Sequence, residues 1–218
     1  MRAPFIVFEG GDGTGKTTQL RGLAERLRAR GLAVRETRAP GGAPGAETIR
    51  NLLVDGPVDA FTPLGEALMM YAARAEHLAR TINPARAAGE IVLCDRFADS
   101  TDAYQGAGGG LDDATLAQLR AVVVGDHEPD LTLIFDAPAA QGLARAGARG
   151  GDARFEEKGL EYQERVRAAF LAIARASPAS RRIIDATGSV AQVGERVDAA
   201  VAAVVDAWRA ARDASSPS

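Results

Sequence analysis

Lysine is almost missing from this chain: Lys16 and Lys158 are the only two, so nearly all the positive charge is arginine. Cysteine occurs once, at Cys94, which excludes an internal disulfide framework. Its neighbours Ile91, Val92 and Leu93 mark that thiol as a small buried hydrophobe. Histidine occurs twice, at His77 and His127, and one cysteine with two distant histidines does not make a structural zinc site. Long apolar runs are lacking too. None approaches the roughly 20 residues that a membrane span needs. Phe5 to Phe8 stops at Glu9-Gly10, too early for a signal peptide, so a cytoplasmic protein with no membrane partner is expected. Nor is there an excess of positive charge. A net charge of −3 gives no basic field for wrapping nucleic acid, and no nucleic-acid partner is expected.

What is present reads as an ordinary globular composition, 46% hydrophobic and 25% charged over 218 residues. That length predicts one domain over residues 1–212, with a disordered polar tail at 213–218. Apolar strand-like runs alternate with helix-like stretches. Phe5 to Glu9, Ala33 to Thr37, Ile91 to Asp95, Leu131 to Asp136 and Arg182 to Asp185 read as strands. Helical stretches are predicted from Lys16 to a stop at Gly31 and around 46–54, 64–87, 113–124, 159–176 and 190–212. This rhythm predicts an α/β fold, a five-stranded parallel sheet with helices on both faces. The Gly/Arg-rich stretch 145–154 breaks the pattern. Gly147, Gly150 and Gly151 weaken any helix there, so a mobile segment is expected.

The densest signal is Gly10-Gly11-Asp12-Gly13-Thr14-Gly15-Lys16-Thr17, which meets G-x-x-x-x-G-K-[ST] in full between a strand and a helix. Glycines let successive backbone N–H groups point at phosphate oxygens, and the helix that follows adds its positive dipole end. Lys16 reaches the β- and γ-phosphates of ATP, and Thr17 offers its hydroxyl to Mg²⁺. Thr18 completes the loop. A chain that avoids lysine yet places one here is hard to read as accident. The loop alone leaves kinase, GTPase and switch ATPase open. No Asn-Lys-x-Asp element accompanies either lysine, which counts against a GTPase, and the many arginines favour a nucleotide kinase.

Asp95-Arg96-Phe97 follows the third strand at the carboxyl edge, where ligands bind in such sheets. Asp95 can position Mg²⁺ through water, and Arg96 can bridge the transferring group and an acceptor phosphate. Further blocks are Thr37-Arg38-Ala39-Pro40-Gly41-Gly42, then Ser100 with Ala103-Tyr104-Gln105-Gly106, then Pro129-Asp130-Leu131-Thr132-Leu133 and Asp152-Ala153-Arg154-Phe155-Glu156. Together with Phe8-Glu9-Gly10 through Thr18, in order and at matching spacing, they resemble thymidylate kinase. The resemblance covers about residues 4–186.

That resemblance implies dTMP + ATP → dTDP + ADP with Mg²⁺, in dTTP synthesis, by a P-loop fold that forms a homodimer. It implies that Asp12 accepts from the sugar 3′-OH and that Arg74 reads thymine. It implies that Thr101 and Gln105 bond the other edge of the base, and that Tyr104 lies beneath the sugar. Arg38, Arg50 and Arg96 would surround the monophosphate, with Pro40 in the same loop. Where some members carry an arginine in the P-loop, this chain has Gly13. It resembles the bacterial type that supplies the arginine from a lid, here 145–154, with Arg149 expected as the catalytic finger and Arg154 second. Lys16, Asp12 and Arg96 complete the expected catalytic set. Two positions depart from the pattern: Ala39 stands where the family has Glu, and Met70 where a Phe stacks on thymine. Met70 predicts a looser base pocket, which Tyr71 could fill only by a shift of its helix. The competing readings are another P-loop kinase of nucleosides or their monophosphates, and a regulatory ATPase that needs no acceptor.

Overall fold

Alternation along the central strands decides how the layers stack. On β1 (Phe5–Gly10), successive side chains point to opposite faces of the sheet, and every residue is buried. Ile6 and Phe8 face one helical layer. Phe5 and Val7 face the other. A strand apolar on both faces must lie in the middle of a covered parallel sheet. β3 (Ile91–Asp95) and β4 (Leu131–Asp136) share that character, and β2 (Val34–Arg38) and β5 (Arg181–Asp185), with fewer buried positions, form the edges.

A computed structural model describes residues 2–54, 60–147 and 159–214. It contains one five-stranded sheet of order β2-β3-β1-β4-β5, with every pair parallel. The expected α/β sheet is therefore present. Register sets the active edge: Asp95 at the end of β3 pairs with both Phe8 and Arg38, so the loops after β1, β2 and β3 leave side by side. β1 is the switch point, with β3 on one side and β4 on the other.

Helix α1 (Lys16–Ala29) lays Leu20, Leu23 and Leu27 on one face of the sheet beside Val197, Val201 and Trp208 of the last helix. α2 (Pro44–Val54) and α3 (Pro63–His77) cover the acceptor side on the other face. The single helix predicted over 64–87 is three pieces. α3 passes through a π-helical turn at Leu78–Ile82 into α4 (Asn83–Ala87). Pro84 lacks the N–H that would bond one turn back, which loosens the ladder there. A short helix α5 (Ala98–Thr101) and a π-helical segment Asp102–Gly108 were not expected, and α6 (Asp113–Val123) follows.

Helix α7 (Ala139–Gly147) was not expected and takes in the first three residues of the 145–154 stretch, Gly147 included, while 148–154 lie outside the described residues. α8 (Gly159–Ala176) packs Tyr162, Val166 and Phe170 on Tyr104 and Ile134. α9 (Val190–Ala214) is helical through Asp213 and Ala214, the first two residues of the predicted tail, and 215–218 lie outside the described residues. Among the described residues no helix is long and apolar enough to cross a membrane.

Candidate active site

β1 delivers the chain into the phosphate loop, and Gly15, at φ 90°, caps α1 in a left-handed conformation. Lys16 is the first residue of that helix. Its ammonium folds back and donates to the carbonyls of Gly10 at 3.0 Å and Gly11 at 2.7 Å. Burial, aided by the nearby Arg96 guanidinium, brings Lys16 down to about 8 against the pull of Asp95, Asp12 and Glu9. It is cationic at neutral pH, and polyphosphate charge would hold its proton more firmly. Thr17 donates its hydroxyl to Asp95 Oδ2 at 2.5 Å.

Glu9, fully buried in β1, builds the acceptor side. Its Oε1 accepts from the backbone N–H of Phe97 at 2.7 Å and of Ser100 at 3.0 Å, and its Oε2 accepts from the Ser100 hydroxyl at 2.5 Å. These are N–H groups at the start of α5 that the helix itself leaves unsatisfied. Burial, with the charge of Asp99, raises Glu9 despite Arg96 and the three bonds. Arg96 stands between β3 and α5 with φ 69°, the one non-glycine residue at positive φ among the described residues. Such a conformation persists where the surroundings over-determine it. Here they do: the guanidinium donates to Gly10 O at 3.0 Å, Ser100 Oγ at 3.0 Å, Asp12 Oδ1 at 2.5 Å and Tyr104 OH at 3.1 Å. Tyr104 in turn donates to Asp12 Oδ2 at 3.0 Å. Burial would raise Asp12, but Arg96, with Lys16 and the Tyr104 hydroxyl, outweighs it and holds the carboxyl below its ordinary value.

In front of this network lies a cavity of about 280 Å³. All ten residues expected to hold the acceptor line it: Asp12, Arg38, Pro40, Arg50, Met70, Arg74, Arg96, Thr101, Tyr104 and Gln105. Thr17 and Asp95 stand at its edge, and Ala39, Leu53, Phe97 and Ser100 complete the wall. Arg74, only 3% exposed, lies 4.4 Å over the Tyr71 ring and donates through one terminal nitrogen to Phe97 O at 2.8 Å and Thr101 Oγ1 at 3.0 Å. Its Nε and other terminal nitrogen have no partner. Tyr71 is core, packed with Leu78 and Ile82, so it does not replace the missing aromatic, and Met70 is the side chain at that position of the wall. Gln105 donates its amide to the buried Glu66 at 3.0 Å. Above the cavity, the loop after β2 is fixed from behind. Ala39 N donates to Asp95 O, Arg50 to Pro40 O, and Glu47 accepts from both Arg38 and Gly42 N. The carboxylate on this loop thus comes from Glu47, not from position 39. His77, fully buried, meets Thr37 Oγ1 through Nε2 at 2.6 Å; burial brings the ring down to about 4, so it is neutral.

The second cavity, about 440 Å³, opens behind the loop between Gly13, Thr14, Gly15, Thr18 and Gln19 on one side and Arg145, Ala186, Gly188, Val190 and Val193 on the other. Ala186, directly after β5, stands at its rim. α7 touches the phosphate loop through a pair of glycines. A Cβ on Gly13, at φ 71°, would come 2.0 Å from Gly142 O, and one on Gly142 would come 2.4 Å from Asp12 O. No side chain fits at either position without moving one backbone off the other, so an arginine at 13 is excluded on steric grounds. Arg145 is described and lines this second cavity; Arg149 and Arg154 lie outside the described residues.

Four contributors were missed. Glu9 and Ser100 stand inside motifs read from the sequence but were given no role, and their signal was a carboxylate one residue before the loop glycines. Phe97 likewise stands inside the Asp95-Arg96-Phe97 motif without a role of its own, and only Glu66 carries no signal beyond its element. For the metal, the hydroxyl of Thr17 and the carboxylate of Asp95 are hard oxygen donors of the kind that suits Mg²⁺. No cluster of three or more His, Cys, Asp or Glu able to hold a metal occurs among the described residues. Mg²⁺ needs none, because it takes most of its ligands from phosphates and water.

Comparison with known proteins shows the family. The family model described as thymidylate kinase matches residues 8–197. A protein named thymidylate kinase from Caulobacter vibrioides is 54% identical over 202 residues, covering 93% of this chain and 94% of that one. Another of that name from Ectopseudomonas mendocina is 48% identical over 209 residues, covering 96% and 100%. The crystal structure of thymidylate kinase from Ehrlichia chaffeensis superposes with a TM-score of 0.73 at 36% identity, over 90% of this chain and 97% of that one. This chain belongs to the thymidylate kinase family.

Proposed function

We propose that this chain transfers the γ-phosphoryl group of ATP directly and in line to the phosphate of dTMP. It is a nucleoside monophosphate kinase, and the products are dTDP and ADP. The observation that carries the reading is the single cavity in which all ten acceptor residues meet, with Asp12 and Arg96 in the wall shared with the phosphate loop.

Phosphoryl transfer asks a protein for position and cancellation of charge. The loop and Lys16 hold the ATP phosphates. Arg96, already anchored to Gly10 and Asp12, stands between donor and acceptor and faces both phosphates. Arg38 and Arg50 add charge from the cavity roof. Asp12 orients the sugar, Tyr104 floors it, and Arg74, Thr101 and Gln105 read the base beside Met70. Thr17 and Asp95 would hold Mg²⁺, which would supply neutralisation of phosphate charge. Arg149, with Arg154 second, supplies the finger from the 145–154 lid of one kinase domain. Arg149→Ala lowers kcat far more than it changes dTMP affinity; an unchanged kcat would remove that residue from the mechanism.

We read the enzyme as a cytoplasmic homodimer, supported by exposed Leu64 and Leu68 one turn apart on α3 and by exposed Leu52 on α2. Sedimentation at micromolar concentration tests the dimer. The function is tested by coupled ADP release with ATP and Mg²⁺ across dTMP, dUMP, dGMP, AMP and thymidine. Turnover with dTMP well above the rest is expected. ADP release independent of any acceptor would contradict it.

A further inference from the structure

Base selection in such a pocket depends on which end of a side-chain amide faces the ligand. Gln105 has a carbonyl that accepts and an NH₂ that donates, and the two ends differ little in shape. Here the choice is settled by a neighbour. Glu66, on the first turn of α3, is 5% exposed and does not line the cavity, whereas Gln105 is 2% exposed and does. Gln105 Nε2 lies 3.0 Å from Glu66 Oε2. An ionised carboxylate only accepts hydrogen bonds, so only the amide nitrogen can stand at that distance. The reverse orientation would set two acceptor oxygens together out of reach of water, which is costly.

We propose that Glu66 is a positioning residue that locks the Gln105 amide with its nitrogen turned away and its carbonyl free, and so makes the pocket select a base that carries an N3–H. The proposal rests on the reading of this cavity as the dTMP site. Arg74 offers only donors and Gln105 then offers an acceptor. That pair complements a carbonyl next to an N–H, as in thymine and uracil. It mismatches cytosine, whose N3 accepts and whose exocyclic group donates. The lock does not see the methyl group, so it separates thymine and uracil from cytosine but not from each other. A site built to bond one pattern rejects the other because its own buried groups are left unpaired.

Glu66→Gln removes the lock at almost constant shape, because a carboxamide can donate to Gln105 Oε1 as well as accept from Nε2. Gln105 is then free to turn its NH₂ toward the base. The measurement is kcat/KM for dTMP and for dCMP with ATP and Mg²⁺, on wild type, Glu66→Gln, Gln105→Leu and the double variant. The expected result is a fall in the dTMP/dCMP ratio of about tenfold or more in Glu66→Gln, with dCMP turnover held or raised. The ratio does not reach one, because Arg74 still disfavours cytosine. In the Gln105→Leu background the same change leaves the ratio where it is, since Glu66 acts through that amide. Equal loss of both substrates in Glu66→Gln, or an undiminished ratio change without Gln105, would make Glu66 a structural residue and overturn the proposal. Should Glu66→Gln not fold, Glu66→Asp keeps the charge but withdraws the oxygen, and the ratio falls by a smaller factor; an unchanged ratio there overturns it equally. A wild type inactive on dTMP would strike the reading of the cavity itself, whereas dTMP activity with an insensitive ratio would strike only the lock.

Discussion

The two cavities on either side of the phosphate loop are built in opposite ways. The acceptor side is a network of side chains bonded to one another and to the backbone: Glu9 fixes Ser100, Arg96 bridges Gly10, Asp12 and Tyr104, and Arg74 is anchored to Phe97 and Thr101. The donor side is mostly backbone and small residues, with Gly13, Gly15 and Gly188 on its walls and Arg145 at its rim. The difference follows from the ligands. Triphosphate chains are held by N–H groups and dipole ends whatever the base, so glycines suffice. One monophosphate must be told from its relatives, and that takes fixed donors and acceptors.

The largest effect is expected from removing the Arg96 bridge. Arg96→Met leaves the half-buried Asp12 beside Tyr104 without its charged partner and removes a cation of the kind worth about a thousandfold or more in phosphoryl transfer. Steady-state kinetics should show kcat/KM for dTMP reduced by about a thousandfold, with ATP binding by titration changed far less. Equal loss of both affinities would mean that the two halves are not separate.

Next in size is the support behind the acceptor loop. His77 is neutral when folded, with its ordinary value of 6.5 brought down to about 4. Above pH 6.5 the ring is neutral in folded and unfolded chains alike. As the pH falls from 6.5 to 4, the unfolded chain takes up a proton that the folded chain refuses, so stability drops by about 3 kcal/mol over that window. In His77→Gln, denaturant titrations across the same window should lack that component. A slope identical to wild type would deny His77 the role.

On the donor side, Gly142→Ala drives a methyl into Asp12 O, which lies 2.4 Å from where its carbon would sit. Overpacking of this kind costs about 1–3 kcal/mol. Because α7 carries Arg145 to the donor rim, KM for ATP should rise more than KM for dTMP. The opposite order would place α7 with the acceptor half.

Smallest is the base pocket. Met70→Phe restores a stacking ring, worth about 1–3 kcal/mol per base and less here because a thioether already packs there. kcat/KM for dTMP and dUMP, measured side by side, should show tighter dTMP use and a larger preference over dUMP. If both values stay unchanged, the pocket is not loosened by Met70.

These halves were also unequally legible in the sequence. The five strands could be read because buried parallel strands are continuous apolar runs, and the ten residues that the family resemblance implied for the acceptor line one cavity. The helix break at Pro84 is a local rule overlooked within a strong apolar pattern. The segment Ala98–Gly108 has no helical period of its own; it is helical because Glu9, ninety residues earlier, caps its first turn. Glu66 and the Gly13–Gly142 contact are meetings of distant residues, and no window along the chain contains both partners.

If side chains bonded to one another hold the acceptor site, dTMP binds there without the donor. Calorimetric titration of dTMP in the absence of ATP and Mg²⁺ tests it most directly, on wild type, Lys16→Met and Arg96→Met. Wild type and Lys16→Met should bind dTMP alike, and Arg96→Met should bind far more weakly. Loss of dTMP binding in Lys16→Met, or none in wild type until ATP is added, would contradict the account.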